Sequence, residues 1–262
     1  MRRVEAVRYV GPKLSGGGQQ TASRPHVLTG DDGNNYVVKF QRDCAVDRTL
    51  VNEQVVGAIA ETLTVPFPGI AHVRISADLV ANSPELAALN LVAGLYLGSR
   101  ELPLAFDLNR VAVQDVVQKI VNRDEAAGAI AMDTYVWNTD RNNAGNLLVE
   151  PTQEAHKYRF YVIDHGHCFG GPNWTELQLG VQAPQAYNIP THAVLRSLAD
   201  AAANGEYWLA QIEALPELEL DQIVDDVPAE WNFQAGSNRV LKEYLRERKA
   251  YTRRDAIAGG LR

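Results

Sequence analysis

Cysteine is scarce: Cys44 and Cys168 are the only thiols in 262 residues. They lie far apart and form no Cys-x-x-Cys pair, so neither a disulfide framework nor a thiolate zinc centre is expected. That usage suits a reducing, cytoplasmic compartment. Long apolar runs are also missing. The most apolar uncharged stretch, residues 86–99, is broken by Asn90 and two glycines, and falls short of the roughly 18–20 residues a membrane span needs. The chain opens on Arg2 and Arg3 without an apolar segment of signal-peptide length. Positive charge is not in excess: 25 basic against 32 acidic side chains give a net charge of −7. Such a chain is not built for general binding to nucleic acid or a membrane surface. No internal repeat or low-complexity tract is present. Hydrophobic residues make up 46% of the chain, enough to fill one large domain or two lobes.

What the chain does carry is concentrated between Tyr135 and Gly166. A mostly apolar, helix-like run over residues 126–137 ends in the polar loop Asn138-Thr139-Asp140-Arg141-Asn142-Asn143-Ala144-Gly145-Asn146. The apolar strand Leu147-Leu148-Val149 follows, then a polar link. A second strand, Phe160-Tyr161-Val162-Ile163, ends on Asp164-His165-Gly166. Two strands in this order predict a hairpin, with Asp140 and Asn146 before the first strand and Asp164 after the second. Phosphoryl transfer needs a carboxylate beside the attacking hydroxyl, and one or two Mg²⁺ ions held by oxygen ligands. An Asp…Asn loop and a later Asp-x-Gly supply those parts. Asn and Asp after a helix also serve as caps and turn residues, and for Asp140 alone that reading stands beside the functional one. The ordered pair with Asp164 favours chemistry.

Upstream, residues 4–10 alternate as a first strand. Ser15, Gly16, Gly17, Gly18 and Gln19 follow. Three consecutive glycines let backbone N–H groups approach phosphate oxygens. The alternative is a plain flexible turn, and no Gly-Lys-Ser/Thr closes the loop as a Walker A motif would. Strands are predicted over 26–29 and 35–40, with a turn at 30–34. Lys39 stands alone in the apolar run Tyr36-Val37-Val38-Lys39-Phe40. A lysine on a core strand is costly unless its ammonium is paired, although the solvent face of an edge strand would also accept it. A helix over 47–63 has Leu50, Val51, Val55, Ile59 and Leu63 at helical spacing. It carries Glu53 early, in position to reach back to Lys39. Pro66 and Pro68 end it.

Together, Val37-Val38-Lys39-Phe40, Asn52-Glu53, Asp140-Arg141, Asn146-Leu147-Leu148 and Val162-Ile163-Asp164-His165-Gly166 resemble the HipA-like kinases, which share these elements with the phosphoinositide 3/4-kinase group. Eukaryotic protein kinases would show His-Arg-Asp and Asp-Phe-Gly instead. The resemblance covers residues 10–169. It implies an α+β, two-lobed protein-kinase-like fold, with an antiparallel-sheet N-lobe over 1–98 and a mainly helical C-lobe over 99–262. It further implies a phosphotransferase that uses ATP and Mg²⁺, with a serine or threonine hydroxyl of a protein as acceptor. A small hydroxyl-bearing molecule is the other acceptor class. Asp140 would orient that hydroxyl and take its proton, and Asn146 and Asp164 would hold Mg²⁺. Lys39, fixed by Glu53, would neutralise the α/β-phosphates under the backbone of the Ser15–Gln19 loop. Arg141 would support the catalytic loop by an ion pair. Element order places the adenine-binding hinge at Tyr96, Leu97 and Gly98. Kinases generally have the Asn five residues after the Asp. Here Gly145 holds that place and Asn146 comes sixth, so Asn143 is a second candidate ligand. Some HipA-like kinases are toxins paired with antitoxins, which makes an antitoxin-like partner an expectation. The family also regulates itself by phosphorylation in its glycine-rich loop, where Ser15, Thr21 and Ser23 are candidates.

The remaining elements are read from pattern. Strands are expected over 72–75 and 91–97, and a helix broken near Ser83-Pro84 between them. Helices are expected over 111–121, 123–137, 190–203, 207–215, 220–226 and 237–254. In the last, Val240, Leu241, Tyr244 and Leu245 form the buried stripe, while Lys242, Glu243, Arg246, Glu247, Arg248 and Lys249 face solvent. Two rival functions stay open. A metal-dependent hydrolase would use Asp140, Asp164, His165, His167 and His156 as ligands, though no His-Glu-x-x-His motif is present. A nucleotide-binding pseudokinase or adaptor would keep the fold without turnover.

Overall fold

Alternation builds the first strand. In β1 (Arg3–Pro12), Val4 and Ala6 turn inward while Arg3 and Glu5 stay exposed. The computed structural model describes residues 1–13, 25–40, 44–108, 116–186, 191 and 193–261. The Ser15–Gln19 loop, Thr21 and Ser23 fall outside them, as do residues 111–115 of the helix expected over 111–121. β2 (His26–Gly30) and β3 (Asn35–Lys39) pair antiparallel across a tight turn. The Asp32 carboxylate organises that turn, accepting from the Asn34 backbone N–H at 3.0 Å and from the Tyr36 hydroxyl at 2.7 Å.

β4 (Ile70–Ile75) and β5 (Gly94–Arg100) complete the sheet. Two short helices, α2 (Ala77–Asn82) and α3 (Pro84–Ala88), separate them and break at Ser83, where Pro84 opens the second. β5 pairs antiparallel with both β3 and β4. An antiparallel sheet accounts for all but one of the contacts. β1 runs parallel to β4, with Arg3 opposite His72 and Val4 opposite Val73, and this contact closes the five strands into a barrel. Closure gives the outer edges of β1 and β4 backbone partners that an open sheet would leave to water. Val4, Leu28, Tyr36, Val38, Val73, Ile75 and Tyr96 fill the interior.

β5 departs from its expected span. Gly98, expected in the hinge just beyond a strand over 91–97, lies in mid-strand, opposite Val38 on one side and Ala71 on the other. A Cβ there would come within 2.7 Å of Val73. The glycine is required by close packing, not by a turn. The expected division between residues 98 and 99 therefore cuts through a strand that runs to Arg100.

α1 (Thr49–Thr62) buries Leu50, Val51, Val55 and Ile59, as its spacing foretold, and Val56 beside them. Downstream, β6 (Phe106–Asp107), β7 (Leu147–Pro151) and β8 (Tyr158–Val162) form a second antiparallel sheet. β7 and β8 are the expected hairpin, with Leu147 opposite Val162 and Pro151 opposite Tyr158. α4 (Ala126–Tyr135) is buried at every position, which its small residues permit. The Glu176–Gln182 helix is α5; α6 (Ala193–Ala202), α7 (Gly205–Glu213) and the long α9 (Ala235–Ala258) pack on α4, while α5 and α8 (Glu217–Asp225) pack on α9.

The buried stripe of α9 includes Val240, Leu241, Tyr244 and Leu245 as expected. Arg248 does not face solvent: its side chain is fully buried and ion-paired with Asp255 at 2.5 Å, seven residues on along the same helix. A charge can enter the core when its partner and carbonyl acceptors are supplied, and Arg248 also donates to the carbonyls of Thr134 and Ala183.

The segment between α8 and α9 ties the two ends of the chain together. The Trp231 indole N–H donates to the Leu95 carbonyl at 2.8 Å, and the Leu95 N–H donates to the Glu230 carboxylate at 3.0 Å. The Trp231 carbonyl accepts from the Cys44 N–H at 2.8 Å.

Candidate active site

Lys39, Glu53 and Asp164 come from three separate parts of the sequence and meet at one point. The Lys39 ammonium pairs with the Glu53 carboxylate and lies 3.3 Å from Asp164 Oδ1. β3 supplies the lysine, the second turn of α1 the glutamate, and the residues after β8 the aspartate. Lys39 is thus the paired lysine that its apolar strand demanded, not a solvent-facing one. Asp164 sits at φ 58°, a left-handed conformation uncommon outside glycine that turns the backbone sharply at the strand end. Two adjacent acids flanking one ammonium divide their charge unequally. Burial pushes Glu53 up to about 7, with Lys39 opposing and the Asp164 charge adding to it. Burial works against Asp164 too, but the Lys39 charge together with hydrogen bonds from Glu53 and Lys39 outweighs it and holds that carboxyl down at about 2. Burial would lower Lys39, yet the two carboxylates keep it above its ordinary value.

The Asp140 loop is held from beneath. Arg141 is fully buried. It donates to both oxygens of Asp133 on α4, with Nε 2.7 Å from Oδ2. It also donates to the Asn146 carbonyl at 2.8 Å and the Ile163 carbonyl at 2.9 Å. One guanidinium therefore bridges the loop before β7 and the strand end after β8. Asn138 adds a further tie, donating to Asp133 Oδ1 at 2.8 Å and accepting from the Asp140 N–H at 3.0 Å. The expected ion pair of Arg141 is present, and its acid is Asp133. That residue was missed, although a lone aspartate in an apolar helix is itself a signal that a buried cation lies nearby.

A tight 3₁₀ turn, Ala144–Asn146, brings Asn146 back to Asp140. The Asn146 amide donates to Asp140 Oδ2 at 2.8 Å and to the Asp140 carbonyl at 3.2 Å. Its Oδ1 accepts no hydrogen bond among the described residues. Asn143 turns its own oxygen inward to cap Gly145 at 3.0 Å. Of the two asparagines, only Asn146 reaches Asp140 with its side chain; Asn143 meets it through its backbone N–H, 3.2 Å from the Asp140 carbonyl. The Asp164 carboxylate, held ionised, and the Asn146 amide oxygen are hard oxygen donors of the kind magnesium takes, so the residues present fit that ion.

Tyr96, Leu97 and Gly98 are not brought to this site as a hinge. They lie inside β5 and are buried, with Leu97 and Gly98 paired to both neighbouring strands. Backbone groups committed to two ladders have none to offer an adenine. The hydrolase ligand set does not assemble either. His156 lies in the turn at the far end of the β7–β8 hairpin from Asp164. His165 is buried edge-on to Phe67 at 5.5 Å, and burial lowers its pKa well below the usual histidine range. No cluster of three or more His, Cys, Asp or Glu suited to a metal occurs among the described residues. No helix among them is long and apolar enough to cross a membrane.

The family model of the HipA-like kinases matches residues 15–251, and the chain belongs to that family. It is a kinase. Among solved structures, a Helicobacter pylori proinflammatory kinase, CtkA, superposes with a TM-score of 0.61 at 12% identity, covering 98% of this chain and 96% of that one. At that identity the likeness shows the fold. The Golgi casein kinase with Mn/ADP bound gives a TM-score of 0.43 at 12% identity, over 99% of this chain and 74% of that one. No curated protein sequence matches the chain.

Proposed function

We propose that this kinase transfers the γ-phosphate of ATP to a serine or threonine hydroxyl of a protein, with Mg²⁺ as cofactor. The observation that carries this reading is the meeting of Lys39, Glu53 and Asp164, drawn from residues as far as 125 positions apart, beside an Asp140–Asn146 pair. Phosphoryl transfer asks little covalent chemistry of a protein. It asks for positioning and for neutralisation of charge. In this reading Lys39 neutralises the α/β-phosphates and Glu53 keeps its ammonium in place. Asp164 and the Asn146 amide oxygen hold Mg²⁺, which supplies charge neutralisation at the phosphates when bound. Asp140, whose Oδ2 already takes one donor from Asn146, orients the acceptor hydroxyl and receives its proton through its other oxygen.

The described residues run continuously out of β5 into residues 101–108. Because β5 reaches Arg100, the adenine contact belongs in this reading to the residues that leave it, and the boundary between lobes moves to the same point. A protein partner enters as substrate, or as an antitoxin-like regulator.

Transfer of γ-labelled phosphate to the kinase itself and to mixed protein acceptors tests the reading. Acid-stable label on serine or threonine, lost in Asp164→Ala, is the expected result. Label found only on small hydroxyl compounds would overturn the protein-kinase reading.

A further inference from the structure

Asn52 precedes Glu53 on α1, and nothing in the chemistry above uses it. Its side chain is fully buried. The amide N–H groups lie 2.8 Å from the Gly166 carbonyl, 3.0 Å from that of Cys168 and 3.2 Å from that of Gly171. Its oxygen accepts from the Trp174 indole N–H at 3.0 Å. Every donor and acceptor on the amide is occupied, which fixes its orientation. Three of its four contacts go to backbone carbonyls just beyond Asp164. That stretch has left-handed φ values at Asp164, Phe169, Gly170 and Gly171, so it follows no regular ladder of its own.

The neighbouring residues make the pattern specific. Glu53 reaches Lys39 and, through it, Asp164. The Arg48 N–H, at the start of the same helix, donates to the Pro172 carbonyl at 2.7 Å. The Arg48 guanidinium stacks 4.3 Å over the Trp174 ring. One turn of α1 therefore grips the Asp164 loop at its acid end through Glu53 and along its carbonyls through Asn52.

We propose that Asn52 is a positioning residue: with Trp174 it locks residues 166–171 to α1, so that Asp164 is presented to the metal only when Glu53 is seated on Lys39. Helix and metal loop then move as one body. The proposal rests on the reading of Asp164 as a metal ligand, but its geometric half does not.

The test uses Asn52→Asp, which keeps the shape and replaces two donors with an acceptor facing three carbonyls. Trp174→Phe, which keeps the ring and removes only its N–H, is the second variant. Two readouts are taken. Amide hydrogen exchange over residues 165–172, measured without nucleotide or metal, is expected to speed up in both variants, while exchange in the β7–β8 hairpin stays at wild-type rates. The Mg²⁺ concentration for half-maximal ATP turnover is expected to rise about ten- to a hundredfold in Asn52→Asp, as for lost supports of metal ligands, and less in Trp174→Phe. KM for ATP at saturating Mg²⁺ should stay near the wild-type value. Unchanged loop exchange in a folded variant, or a KM that rises while the Mg²⁺ requirement stays fixed, would overturn the proposal. If Asn52→Asp fails to fold, Trp174→Phe decides by the same two criteria. A wild-type protein with no Mg²⁺-dependent turnover would sink the metal-ligand reading, and the exchange arm would still decide whether Asn52 holds the loop.

Discussion

Lys39 and Asp133 obey the same rule at the scale of single residues. Each stands alone in an apolar run, and each is paired: Lys39 with Glu53 and Asp164, Asp133 with Arg141. A buried charge without a partner would be too costly to keep, so the sequence announces that a partner exists before it says which. Glu53 carries a testable consequence of its burial. Its folded value of about 7 lies above the ordinary 4.5. Across that window the folded protein holds a proton that the unfolded chain has released, so stability falls as pH rises. Asp164 has the opposite sign in another window. Its value of about 2 lies below 3.8, so its contribution is present above 3.8 and is lost as pH falls toward 2. His72, held near 4 by burial against an ordinary 6.5, also opposes Glu53, because charging it costs stability as pH falls through that range. His72 is common to wild type and Glu53→Gln, so their difference isolates Glu53. Urea unfolding should show the wild-type advantage shrinking between about pH 5 and pH 7, by on the order of 2 kcal/mol. An advantage that grows across this window would mean that Lys39, not burial, governs Glu53.

Elements were legible where one physical signal dominated. The apolar spacing of α1, the alternation of β1 and the β7–β8 hairpin all read correctly, because each buries one face against a neighbour. β5 did not: its glycine serves packing against Val73, and an isolated glycine does not reveal whether it ends a strand or admits a neighbour. Arg248 was misplaced for a related reason, since its partner Asp255 lies two turns on and carries no local sign of burial. The glycine-rich stretch after Asp164 carries no periodicity that would announce its internal order. Gly170 has φ 84°, and a Cβ there would stand 2.3 Å from the Trp137 ring. Gly170→Ala should therefore lose about 2 kcal/mol, from left-handed strain and overpacking. The thermal midpoint should drop by roughly 4–8 °C. A midpoint within about 1 °C of wild type would show that the loop is free to move away from Trp137.

The whole molecule joins its ends in ways no local pattern announces. Barrel closure depends on β1 meeting β4, and the Glu230–Trp231 segment meets Leu95 of β5 across more than half of the chain. Such contacts depend on topology, which spacing in one stretch does not encode. The candidate site is different. Lys39, Glu53, Asp140, Asn146 and Asp164 were all named from motif order, because phosphate chemistry demands particular residue types. The supporting roles of Asp133, Asn138, Asn52 and Trp174 were not, because packing alone brings those residues there. The hinge failed with β5, whose end was set too early. In the proposed reading Asp140 acts on the acceptor, not on the nucleotide. Turnover of Mg²⁺-ATP by Asp140→Ala, measured beside its affinity for Mg²⁺-ATP, tests this most directly. Turnover is expected to fall by about a hundred- to ten-thousandfold, the usual worth of a positioned base, while affinity stays within about threefold of wild type. Turnover close to wild type would contradict the role of Asp140. A wild-type protein that binds ATP tightly and transfers nothing would contradict catalysis itself.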